Sequence, residues 1–133
     1  MKIKRLIISA VAIAVLLTGL TSRAENLHRV FNDSAEAGMM RDAYDILATG
    51  DHDYDGHRVK AMRSIEMAAK RLGVILRGDD KDRPRQALSD EKLREAQGLL
   101  QNVVGAAEVK NQRRVVWRIN EAVGEINTAL TIR

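Results

Sequence analysis

Apolar residues return at three- and four-residue steps along most of the chain beyond residue 33, and that spacing predicts helices. The first runs from about Ser34 to Thr49 on Met40, Ala43 and Leu47, with Met39, Tyr44 and Ile46 flanking the stripe. Asp33 is the expected N-cap, with Glu36 at the third position of a capping box, and Gly50 is the expected stop. A second stripe is carried by Ala61, Ile65, Ala68 and Leu72, with Met62 and Ala69 beside it, and ends at Gly73. Extended backwards it reaches His57 or Arg58 and then Tyr54, so Asp51 becomes a cap and the backbone is expected to be helical from His52 through Met62. The third helix starts at Ser89, with Asp90 and Glu91 in its first turn, a Leu88–Leu93 staple, and Leu93, Ala96, Leu100, Val103 and Ala107 as its stripe. The fourth is the most regular: Val116, Ile119, Val123, Ile126 and Leu130. Its start falls between Gly105 and Gln112. Asn111 is the best cap, although it leaves Arg113 and Arg114 in a first turn where positive charge is unfavourable, so either the helix begins earlier or those arginines find acidic partners.

No β-branched run with period two competes with these stripes. The expected architecture is all-α, a small antiparallel four-helix bundle made of two helical hairpins. Residues 73–88, GVILRGDDKDRPRQAL, turn from apolar to densely charged and hold the single proline, Pro84, so they read as an exposed connection between the hairpins. Arg77-Gly78-Asp79 within it spells an adhesion tripeptide, a match short enough to arise by chance. A faint repeat places Arg63–Leu72 over Trp117–Ile126, 54 residues apart, pairing Ile65 with Ile119, Ala68 with Ala122 and Leu72 with Ile126.

The N-terminus follows a different pattern. Lys2, Lys4 and Arg5 precede an unbroken apolar or small-residue run from Leu6 to Leu20, and Ser22 and Ala24 suit a cleavage site after residue 24. As a helix that run would span about 22 Å, short of a hydrocarbon core of roughly 30 Å. Residues 1–24 are therefore expected to be a signal peptide, leaving residues 25–133 as one exported helical domain, periplasmic or secreted. Leu17-Thr18-Gly19-Leu20 matches a bacterial lipobox except at its last position, where the lipidated cysteine would stand, so no stable membrane anchor is expected after cleavage.

Cleavage would change the charge. The chain has 22 Lys+Arg against 18 Asp+Glu. All the charges before residue 25 are basic (Lys2, Lys4, Arg5 and Arg23), so residues 25–133 balance at 18 of each. The pI near 9.7 belongs to the whole chain, and the domain lacks the basic footprint of a nucleic-acid binder. Without cysteine the chain has no disulfide, no thiolate zinc site and no C-x-x-C-H haem attachment.

DHDYDGHR, Asp51 to Arg58, carries the sharpest candidate chemistry. Asp51, Asp53, Asp55 and Gly56 match the opening of a calcium loop. The bidentate glutamate of such a loop would have to come from Met62, which has no oxygen, and Arg58 would bring positive charge to it. A helix start accounts for more of these residues: Asp51 as cap, Asp53 in the first turn, Tyr54 facing the first helix and Gly56 allowing close helix contact. The alternative is a metal-binding or metal-sensing bundle in which Asp51, His52, Asp53, Asp55 and His57 hold Zn²⁺ or Cu²⁺, with Met39, Met40 or Met62 as softer donors. On one helix His52 and His57 would point about 140° apart, whereas Asp53 and His57 would share a face, a carboxylate orienting a half-buried histidine. A b-type haem would need facing axial ligands, and the third and fourth helices carry neither His nor Met. No cofactor is expected. No Ser-His-carboxylate arrangement or Gly-rich phosphate loop is present either. Trp117, the lone tryptophan, stands one residue off the fourth stripe among Arg114, Arg118 and Glu121, and could anchor a partner or cover the edge of a hairpin.

HDYDGHRVKAM (His52 to Met62) resembles an HDY-x-GHR-x-x-AM element of small exported bacterial helical proteins. The resemblance extends to SD-x-x-L-x-x-A-x-x-LL at Ser89 to Leu100 and AL-x-IR at Ala129 to Arg133, and so covers most of residues 25–133. It implies a helical exported domain and brings no activity. The expected function is that of a non-enzymatic envelope protein, structural or adaptor, working through an unknown protein partner or self-association, with the metal-binding bundle as the alternative.

Overall fold

In the computed structural model residues 31–76 and 89–132 are described, and they form four helices with no strand. These are α1 (Ala35–Ala48), α2 (His57–Leu72), α3 (Asp90–Gly105) and α4 (Arg113–Ala129). The signal-peptide expectation for residues 1–24, the Arg77-Gly78-Asp79 tripeptide, Pro84 and the Leu88 staple lie outside the described residues.

Each helix packs on two others. α2 with α4 and α1 with α3 are the extensive pairs, α3 with α4 and α1 with α2 the lesser ones, and α1–α4 and α2–α3 stand across the diagonals. The larger interfaces therefore run between the two sequence-adjacent pairs rather than within them. Repeat mates are the helices that meet. Ile65, Ala68 and Leu72 and their mates Ile119, Ala122 and Ile126 are all buried. The same holds for Ala37, Met40, Tyr44 and Leu47 of α1 and, 56 residues on, Leu93, Ala96, Leu100 and Val103 of α3.

Local chemistry sets the helix ends. α1 is capped by Ser34, whose hydroxyl accepts from the Ala37 amide at 3.2 Å, and not by Asp33. The Ser34 amide closes a turn onto the Phe31 carbonyl and leaves Ser34 in the extended geometry a cap needs. Gly73 ends α2 in the left-handed region at φ 71°, and the Val74 amide reaches back to the Ala69 carbonyl while Val74 itself is buried. Ser89 caps α3 through the Lys92 amide, with Asp90 and Glu91 in the first turn.

Two stripes depart from their expected positions. α3 stops at Gly105, so Ala107 is exposed and Val109, in the following turn, takes the buried place. On α4 the buried face is Val115, Ile119, Ala122, Ile126 and Ala129, whereas Val116, Val123 and Leu130 are only half-buried. The face is rotated because α2 presents the small residues Ala61, Ser64, Ala68 and Ala69, and alanines on both helices let the backbones approach closely. Ile119 and Ile126 belong to both faces; Val115, Ala122 and Ala129 stand where Val116, Val123 and Leu130 are expected.

Candidate functional site

Asp51 to Arg58 does not form the expected helix start. Asp51, His52 and Asp53 are non-helical, Tyr54 to Gly56 make a turn, and α2 begins only at His57. Tyr54, Asp55 and Gly56 lie in succession at φ 50°, 54° and 84°. Such a run breaks the helix, and Asp51 therefore cannot cap it; Gly56 stands at the N-cap position. The role of Gly56 is conformational rather than close packing, since a Cβ there would meet nothing within 4 Å. Tyr54 anchors the turn: it is buried, with the His52 ring edge-on at 4.5 Å. Burial, then the charges of Asp90 at the start of α3 and of Asp51, push its hydroxyl above the usual phenol range.

The five candidate metal residues separate accordingly. Asp51, His52, Asp53 and Asp55 are exposed on the turn. Asp53 faces Arg58 at 4.0 Å, and Arg58 donates to the Leu47 carbonyl at 2.8 Å, tying α2 to the last turn of α1. His57 points away from them, across to α4, where its Nδ1 meets the Glu125 carboxylate at 2.5 Å. The carboxylate that orients the half-buried histidine is thus Glu125 rather than Asp53. Among the described residues no group of three or more His, Asp or Glu side chains comes together so as to hold a metal ion.

A polar seam joins α2 to α4. Two turns along from His57, the buried Ser64 donates to the Glu121 carboxylate at 2.9 Å, and Arg118 donates to the same oxygen at 2.9 Å. These bonds, first from Arg118 and then from Ser64, hold the Glu121 carboxyl below the usual carboxylate range. Arg118 also stacks over the Trp117 ring, 4.3 Å from its centroid. Trp117 remains 56% exposed.

One turn before Trp117, α4 begins without a side-chain cap, and the Gln112 side chain donates through Nε2 to the Glu108 carbonyl. Its first turn holds no acid. Arg113 and Arg114 do stand there, exposed, and among the described residues neither finds the acidic partner that the sequence invited. With Arg71 from the last turn of α2, and with Asn111, Gln112 and Val115, they line an open recess of about 570 Å³. The arginines were visible in the sequence; their meeting with Arg71 was not, because it depends on the pairing of α2 with α4.

Compared with known proteins, the chain matches no family model, no curated protein and no solved structure.

Proposed function

We propose that the protein is an exported, non-enzymatic helical protein of the cell envelope, periplasmic or secreted after loss of residues 1–24. It acts as a structural or adaptor component through protein–protein contacts. The observation that carries this reading is Trp117, a large aromatic left 56% exposed and held flat by Arg118, one turn from exposed Arg113 and Arg114. Trp and Arg are the residues that dominate binding energy at protein interfaces, where an aromatic anchor is desolvated inside a polar rim. The polar groups elsewhere on the α2–α4 seam fit a structural role, since Ser64 and His57 are engaged by Glu121 and Glu125. The bundle is read as antiparallel. His57 with Glu125, Ser64 with Glu121, and Arg71 beside Arg113–Val115 step down α4 as they step up α2. The Lys2–Ala24 segment supports export, and among the described residues no helix is long and apolar enough to cross a membrane.

The test is a photo-crosslinking phenylalanine derivative placed at position 117 in the producing cell, with the same probe at exposed Asp42 on α1, the helix diagonal to α4. Covalent protein adducts formed from 117 and absent from 42 are expected. No adduct at 117, or equal yields at both positions, contradicts the reading.

A further inference from the structure

The two ends of α2 carry opposite charge. At its start, residues 51–56 and the first turn of α3 at 89–91 hold Asp51, Asp53, Asp55, Asp90 and Glu91, with no Lys or Arg. Arg58 and Arg94 offset Asp53 and Asp90, at 4.0 and 3.7 Å, while Asp55 and Glu91 are exposed and make no ion pair among the described residues. At its end stand Lys70 and Arg71, joined in the recess by Arg113 and Arg114, with no Asp or Glu among residues 110–114. Each end also shows a large apolar side chain: Val59, 44% exposed, beside the acidic turn, and Trp117, 56% exposed, one turn past Arg113.

Among the described residues the basic end is electrostatically incomplete. Arginines crowd the positive end of α4, where carboxylates would be stabilising, and no side chain caps it. The molecule's own acidic end lies the length of α2 away: 16 residues, or about 24 Å. That exceeds a Debye length of roughly 8 Å at physiological salt, so the two ends do not neutralise each other within one copy. A second copy can bring them together. We propose that the protein associates head to tail, the Asp55/Glu91 end of one copy docking against the Arg71/Arg113/Arg114 recess and Trp117 of the next. This rests on the reading of α4 as a protein-contact surface and names the partner as the chain itself. Balanced charge over residues 25–133 means that copies carry no net repulsion. The two docking surfaces differ, so the contact is heterologous: it grows into a ring or a chain instead of closing at a two-fold dimer.

The test is sedimentation velocity on protein expressed from the full sequence and purified as the cell processes it, over a concentration series in about 20 mM and about 500 mM NaCl. Oligomers that lengthen with concentration in low salt and fall to monomer in high salt are expected. Two variants with neutralised ends, D55N/E91Q and R71Q/R113Q/R114Q, should each be monomeric, and mixed in equal amounts should form a complex of one of each that grows no further. Single variants Asp55→Asn and Arg114→Gln, both at exposed positions, repeat the test with the least risk to folding, and circular dichroism checks helicity in every case. A monomer at all concentrations in low salt, or association that survives neutralisation of either end, overturns the proposal. Monomeric protein whose position 117 still crosslinks to another envelope protein sinks self-association alone. A monomer that also crosslinks to nothing sinks the contact surface itself.

Discussion

The bundle has two large seams built on different chemistry. Between α1 and α3 the large side chains Met40, Tyr44, Leu47, Leu93, Leu100 and Val103 outnumber the buried alanines Ala37, Ala43 and Ala96. Between α2 and α4 the small side chains Ala61, Ser64, Ala68, Ala69, Ala122 and Ala129 alternate with Ile65, Leu72, Val115, Ile119 and Ile126, and the seam is bridged by Ser64–Glu121 and His57–Glu125. The first seam depends on the volume it fills. The second depends on a close backbone approach, and its edge is fixed by hydrogen bonds whose geometry tolerates little shift.

Removing volume from the first seam should have the largest effect. Leu100→Ala empties a fully buried site and should cost about 2–5 kcal/mol, read as a lower denaturant midpoint with unchanged slope. In the second seam the sign of the change reverses. Ala122→Leu adds volume where the backbones meet and should cost about 1–3 kcal/mol, whereas the same enlargement at exposed Ala107 should leave stability within about 0.5 kcal/mol. Equal effects at 122 and 107 would remove the distinction between the seams.

Smaller effects test the bridges. Ser64→Ala removes a buried donor to a charged carboxylate and should cost about 1 kcal/mol. A double-mutant cycle with Glu121→Gln should show that the two losses are not additive. The smallest effect is on pH dependence. Because Glu121 is held below its unfolded value, its contribution to stability is present above the ordinary carboxylate pKa and is lost as pH falls through the lowered one. Acid unfolding of Glu121→Gln should accordingly be shallower than that of the unaltered protein, with the two converging at low pH.

The seams also differ in how far they could be read from the sequence. α1 and α3 present large apolar residues at helical spacing, and Met40, Leu47, Leu93, Leu100 and Val103 were all identified from that spacing alone. Size points to Val116, Val123 and Leu130 on α4; the repeat that pairs Ala122 with Ala68 hints at the true face, and partner packing adds Ala129. Capping chemistry located Ser89 and Gly73 outright and missed α1 by one residue, since Asp33 and Ser34 both offer an oxygen. The acidic turn was misplaced for a different reason. Asp at positions 51, 53 and 55 suits a helix start, and nothing local announces that Tyr54 and Asp55 take positive φ. The partner of His57 is 68 residues distant, beyond any local pattern.

Trp117 provides the most direct test of the claim that the basic end of α4 is a contact surface, because it is the only tryptophan and reports from the middle of that surface. Its emission should be that of a solvated indole in dilute protein at about 500 mM NaCl, and should move to shorter wavelength as concentration rises at about 20 mM. The shift should disappear in R71Q/R113Q/R114Q. Emission that stays solvated throughout the low-salt series would contradict burial of Trp117 in the contact and, with it, the account of this surface.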